Sequence, residues 1–327
     1  MTKTLLVASS GGHLAELHDL VPRLGVGARR WVTFDNPQSR SLLRGEDVEF
    51  VPAATSRDLM GVLKDLRVAR RMLRAERFDR VISTGASVAM AFFVPATAAG
   101  IECWYIESAT RTEGPSLTGR LAARVPGVRL YTQYQGWAGG PWSYGGSIFD
   151  AFEPEALTDP PPIRRAVVTL GTHERYAFPR LLAHLTRLLP PEWEVLWQVG
   201  STVIDRMPAG ARRQVPVGEM RRALAAADIV ISHAGVGSAL AAMQAGKRAV
   251  YVPRRRVHAE HVDDHQVEMA RELESRKLVV AREAEQVTLE DLRTAAAWSV
   301  RAVPGVPPFR LTPAMGNVRT AKEELCS

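Results

Sequence analysis

The chain has 327 residues, 46% hydrophobic and 24% charged, with 42 basic against 35 acidic side chains for a net charge of +7. That balance belongs to a globular protein of roughly two domains, and excludes a disordered chain or a collagen. Cys103 and Cys326 are the only cysteines, which excludes a disulfide scaffold and suits a reducing compartment.

Met1–Leu6 runs directly into a strand, without the regions of a signal peptide. Thr4–Ala8 reads as a buried strand, Gly11-Gly12 as its turn, and a helix follows from Leu14. Arg30–Phe34 and Val48–Val51 read as further strands. A helix over Leu59–Phe78 has a stripe of Leu59, Val62, Leu63, Leu66, Ala69 and Leu73 for the core. Lys64, Arg67, Arg71 and Arg74, with Met60, form an adjacent face, read as a solvated surface or as a patch for an anionic membrane. Arg80–Ser83 is a strand, Thr84–Ser87 a turn and Val88–Ala99 a helix; Trp104–Ile106 is the next strand. The longest apolar run, Val88–Ile101, contains Pro95 and Gly100 and is shorter than the roughly 18 residues of a membrane span.

Between Trp137 and Arg165 the alternation stops in a stretch rich in Gly, Pro and aromatic residues, and it then restarts. Ala166–Thr169, Glu194–Gln198, Asp228–Ser232 and Ala249–Val252 read as strands, with helices over Phe178–Leu188 and Ser238–Ala245. The expected architecture is α/β, with two Rossmann-like doubly wound domains. Residues 1–150 form the first domain, 151–165 a linker, 166–303 the second domain, and 304–327 a tail returning to the first.

Four turns place glycine between a strand end and a helix start: Ser9–Gly12, Thr84–Ser87, Gly171-Thr172 and Gly235–Ser238. Glycine admits a ligand close to the backbone, and a helix N-terminus offers free N–H groups, so an anionic ligand in a central cleft follows. The third glycine of a dinucleotide fingerprint is replaced by Leu240, and Arg254, Arg255 and Arg256 stand where its acidic residue belongs. Gly246-Lys247 lacks the rest of a P-loop. His258, His261 and His265 have a spacing that one helical face could present to zinc; a polar loop facing substrate is the other reading, and no metal is expected. His13, after Gly11-Gly12, has the chemistry of a general base. Arg254 and Arg255, just after a strand end, suit a phosphate or a uronic-acid carboxylate, or form a solvated loop.

Ile231–Ser238 with His233, Ala245–Lys247, Val252–Arg255 and Asp264–Gln266 resemble the donor half of GT-B glycosyltransferases, as does Val168–Thr172. Ser9–His13, Ser83–Ser87 and Tyr105–Ser108 are similar to the acceptor half. The pattern is similar to the two-part capsule and exopolysaccharide transferases, with both parts in one chain. It also resembles the two-subunit enzyme that adds N-acetylglucosamine to dolichol diphosphate, and the peptidoglycan transferase that makes lipid II. The resemblance implies that Gly171, Thr172, His233, Gly235, Gly237, Ser238, Arg254, Arg255, His265 and Gln266 bind the donor. Gly11, Gly12, Thr84, Gly85 and Ser87 would face the acceptor, and Glu107 takes the place of a functionally important acid, catalytic with His13; the other reading of Glu107 is a strand-end carboxylate paired with Arg111. Ala241 stands where the lipid II enzyme has a ribose-gripping Glu.

The function expected is metal-independent, inverting transfer of a hexose or hexuronic acid from a UDP-sugar, with no other cofactor. The acceptor is a polyprenyl-diphosphate-linked saccharide in exopolysaccharide assembly, on the inner face of the cell membrane. A soluble natural-product acceptor, a non-hydrolysing UDP-sugar 2-epimerase and a membrane-recruiting scaffold are the rival readings. Nucleic acid is not an expected partner, because no aromatic-rich basic motif accompanies the charge.

Overall fold

A computed structural model describes residues 3–52, 59–172 and 175–311. The strands in chain order are β1 (Lys3–Ala8), β2 (Ala28–Phe34), β3 (Val48–Val51), β4 (Arg80–Gly85), β5 (Glu102–Ile106), β6 (Val128–Thr132) and β7 (Trp142–Tyr144). They form one parallel sheet in the order β3-β2-β1-β4-β5-β6-β7. After β8 (Phe152–Ala156) come β9 (Arg165–Thr169), β10 (Glu194–Gln198), β11 (Ile229–His233), β12 (Ala249–Val252), β13 (Val279–Ala281) and β14 (Trp298–Ala302). β9–β13 make a second parallel sheet in the order β10-β9-β11-β12-β13.

The helices of the first half are α1 (Gly12–Leu20), α2 (Pro37–Leu42), α3 (Leu59–Ala75), α4 (Ser87–Ala98) and α5 (Leu117–Ala122). Those of the second are α6 (Pro179–Leu188), α7 (Val217–Ala226), α8 (Val236–Gln244), α9 (His265–Ser275) and α10 (Leu289–Ala296). The period-2 alternation of β1 divides its side chains between two layers. Leu5 and Val7 join Ala69, Phe92 and Phe93 of α3 and α4, whereas Leu6 and Ala8 join Leu14 and Leu17 of α1. The α1 cluster continues without a break into Val236, Leu240 and Met243 of α8. One apolar core therefore joins the two sheets at the base of the cleft. Gln244 donates to Asp19 at 2.6 Å, and Arg276 pairs with Asp150 at 3.0 Å across the same junction.

Two parts of the sequence reading change. The stretch 137–165 holds β7, three residues long, and β8, whose sequence Phe-Glu-Pro-Glu-Ala has no apolar run, and β8 pairs antiparallel with β14. The stripe of α3 is turned from its expected position: Asp65, Ala69 and Met72 are buried, while Leu63 is 47% exposed. The side chains of Leu59, Met60 and Val62 lie outside the described residues. After β14 the chain takes the expected direction: Phe309 donates its N–H to the Arg23 carbonyl at 2.8 Å and Arg310 donates to Gly145 at 2.7 Å. Residues after β14 thus cross back onto the first half, as far as Leu311, where the described chain stops.

Candidate active site between the two halves

Two glycine turns meet face to face. β1 ends at Ala8, Gly11 takes φ +84°, and α1 opens at Gly12. A Cβ on Gly12 would lie 2.7 Å from Val236 Cγ1 in the first turn of α8, and one on Gly237 would lie 3.5 Å from Gly12 Cα. At Gly12 only hydrogen fits against Val236, whereas a Cβ on Gly237 would make an ordinary contact. The first-turn N–H groups of both helices have no partner within their helix, so two partial positive charges border one cleft.

His13, the next residue, is fixed from both ends. Its Nδ1 lies 3.0 Å from the Thr84 carbonyl, and Thr84 Oγ1 donates to the His13 carbonyl at 2.8 Å. A carbonyl only accepts, so Nδ1 carries the hydrogen and Nε2 keeps its lone pair. Burial lowers the imidazole pKa to about 4, against the raising effect of the Thr84 bond, and the ring is neutral at ordinary pH. Gly85, at φ +124°, leaves room for it: a Cβ there would lie 3.2 Å from His13 Cε1. The side chain of Ser87 lies outside the described residues.

Glu107 follows β5 with both carboxylate oxygens occupied. Oε1 accepts from Tyr105 Oη and Ser108 N at 3.1 Å each, and Oε2 accepts from Ser116 N and Oγ at 2.9 and 3.1 Å. Burial raises its pKa. It ties the loop 107–116 to the sheet, and Arg111, its expected pairing partner, binds Asp263 instead at 2.9 Å. A second acid, which the sequence reading missed, does similar work. Glu16 of α1 is fully buried and accepts from Ala109 N at 2.6 Å, Ser108 Oγ at 2.9 Å and Gln133 Nε2. Burial pushes its pKa up to about 8. A lone Glu in an amphipathic helix reads as surface, so only the tertiary fold reveals this one.

In the second half the ring of His233 fills the space between two glycines. A Cβ on Gly171 would lie 2.8 Å from its Cε1, and one on Gly235 would lie 2.5 Å from its Nε2. Its Nδ1 is 3.4 Å from the Thr169 carbonyl. Burial, with Arg254 nearby, lowers its pKa to about 3. The glycine loops after β9 and β11 are therefore moulded around one neutral imidazole. Thr172 is exposed at the lip of the cleft, and Ser238 is half-buried in the first turn of α8. Ala241 is half-buried one turn further along.

The arginines depart from expectation. Arg254 is 2% exposed and donates through Nη2 to the carbonyls of Leu170 and Tyr176, the latter at 2.7 Å. Its backbone N–H is capped by Gln266 Oε1 at 3.0 Å, so Gln266 is buried too. Arg255 pairs with Glu283 and Asp264. Both cations are committed to protein partners: Arg254 holds the carbonyls of Leu170 and Tyr176 after β9, and Arg255 anchors the segment after β12.

His265 opens α9, and its Nδ1 hydrogen-bonds Asp263 Oδ1. The helix starts too late to carry His258 and His261 on the same face, and His258 is exposed apart from the cluster.

Residues 166–294 match the glycosyltransferase family 28 C-terminal domain. A stretch of 71 residues is 44% identical to the UDP-N-acetylglucosamine transferase subunit ALG13 of Yarrowia lipolytica, covering 21% of this chain and 32% of that protein. The match thus spans about a third of that relative's length. Among solved structures, MurG of Acinetobacter baumannii superposes with a TM-score of 0.55 and 20% identity, over 90% of this chain and 89% of that one. The glycosyltransferase SnogD of Streptomyces nogalater gives a TM-score of 0.55 and 18% identity, over 90% and 93%. The two parallel sheets facing a cleft are the GT-B fold.

Proposed function

We propose that the chain is an inverting glycosyltransferase that moves a hexose or hexuronic acid from a UDP-sugar to a saccharide acceptor, without a metal ion. The observation that carries this reading is the meeting of α1 and α8 at Gly12 and Val236, which sets a neutral, oriented imidazole beside a helix N-terminus. The donor diphosphate lies at the first turn of α8, where N–H dipoles stabilise its departing charge. His13 Nε2 takes the proton of the acceptor hydroxyl as its oxygen attacks C1 and the C1–O bond to the diphosphate breaks. A single displacement inverts the anomeric centre. Glu107 and Glu16 act as positioning residues for the loop beside His13. The family 28 match over the donor half and the likeness to a UDP-N-acetylglucosamine transferase subunit support a UDP-sugar.

The acceptor we propose is a polyprenyl-diphosphate-linked saccharide in exopolysaccharide or capsule assembly, reached from the cytoplasmic membrane surface. No helix among the described residues is long and apolar enough to cross a membrane. A peripheral patch fits instead. Lys64, Arg67, Arg71 and Arg74 are exposed on α3, and the arginines border a concavity of about 490 Å³. Leu63, Val94, Leu117 and Leu121 stand 47%, 49%, 71% and 41% exposed on α3, α4 and α5, with α4 packed against both neighbours. Apolar side chains among cations are what an anionic bilayer surface binds. The test is a panel of UDP-sugars with lipid-linked and water-soluble acceptors in excess EDTA, with the product anomer read by NMR. Inverted product in EDTA is expected; product only after a divalent ion is restored would overturn the metal-free mechanism.

A further inference from the structure

His261, Asp263 and His265 gather one ligand atom each within 4.8 Å of one another at the mouth of the cleft. We propose that they bind one divalent transition-metal ion of the zinc class. Nδ1 of both histidines faces the same oxygen, Asp263 Oδ1: His265 hydrogen-bonds it, and His261 stands 3.5 Å away. A tetrahedral centre with bonds of about 2.0–2.2 Å has ligand–ligand edges of about 3.4 Å. The His261 separation already matches, and a rotation of His265 brings its own to that length. His261 Nδ1 is buried without a hydrogen-bond partner among the described residues, so an imidazole nitrogen faces the cluster unused. Its ring is held 4.5 Å from Tyr176 and 4.6 Å from the perpendicular ring of His265.

The carboxylate has the outer support that metal ligands require. Asp263 Oδ2 is bound by Arg111 at 2.9 Å, from the first half of the chain. Oδ1 therefore stays available for a metal while the bridge across the cleft persists. Two imidazoles and one carboxylate select zinc or cobalt over magnesium or calcium, which take oxygen ligands. Asp263 is 35% exposed, so the fourth position opens to solvent. On the transferase reading given above, the ion is not catalytic. It holds His265 away from the donor sugar and so inhibits turnover.

The test uses the tag-free full chain, stripped with EDTA and titrated with Co2+ and then Zn2+. One equivalent of Co2+ should develop the visible bands of a tetrahedral centre, and one equivalent of Zn2+ should displace it. His261→Gln and Asp263→Asn should each weaken binding by at least the ~10–100-fold that an outer-ligand change produces, with unchanged far-UV spectra. No uptake by the wild-type chain, or equal uptake by both variants, overturns the site. These titrations need no substrate, so they stand or fall apart from the transferase reading. Turnover that persists with the metal site filled would refute the inhibitory role.

Discussion

Gly12→Ala isolates the contact on which the cleft depends. The added Cβ would lie 2.7 Å from Val236 Cγ1, whereas carbon atoms rest about 3.5–4.0 Å apart. The halves must separate by roughly 1 Å, or Val236 must be forced from its place, and overpacking of this kind costs about 1–3 kcal/mol. Gly12 has no positive φ and is the first residue of α1, so alanine suits the helix itself. The strain should therefore lower the melting temperature by a few degrees and, because it falls at the cleft, lower kcat/KM as well. Val236→Ala removes the opposing methyl groups. Combined with Gly12→Ala it should restore most of the rate, giving a coupling energy of at least ~1 kcal/mol in a double-mutant cycle. Wild-type kcat/KM for Gly12→Ala, or no rescue by Val236→Ala, would show that α1 and α8 do not meet in the working enzyme.

The same geometry yields further expectations. Gly235→Asp drives a side chain into His233 Nε2, 2.5 Å from the new Cβ, and sets a negative charge at the start of α8; calorimetry with UDP should detect no binding by the folded variant. Glu16, with a pKa raised to about 8, holds a proton in the folded chain that the unfolded chain releases near 4.5. Its contribution is complete below pH 4.5 and is lost as pH rises through 8. Glu16→Gln mimics the protonated acid, so its melting temperature should gain on wild type between pH 5 and pH 8; a constant difference would contradict the burial argument. Replacing Lys64, Arg67, Arg71 and Arg74 by Gln should lower co-sedimentation with anionic vesicles, at ~1 kcal/mol per basic residue near the surface, while activity on a short-chain soluble acceptor persists. A wild-type chain that ignores such vesicles at low salt would favour a soluble acceptor.

The residues that organise the cleft differ in how plainly the sequence announces them. Gly11-Gly12, Gly171 and Gly235 were legible because glycine recurs after strand ends at four places in the two halves, although any one such turn means little. His13 was legible beside them. Arg254 misled, since a charge run after a strand looks solvent-facing; its burial depends on the loop at 170–176 arriving from another strand. Asp263 and Arg111 acquire meaning only when the two halves close, 152 positions apart in sequence. The turn of α3 likewise hinged on Asp65 being buried, which no hydrophobic pattern signals.

The central claim is that His13 is the base and that α8 holds the leaving diphosphate. His13→Ala, measured for both steps, tests it most directly. The account predicts that kcat falls by ~10²–10⁴ while UDP affinity in calorimetry stays at the wild-type value. A variant that keeps its kcat, or loses UDP binding along with it, would contradict the assignment.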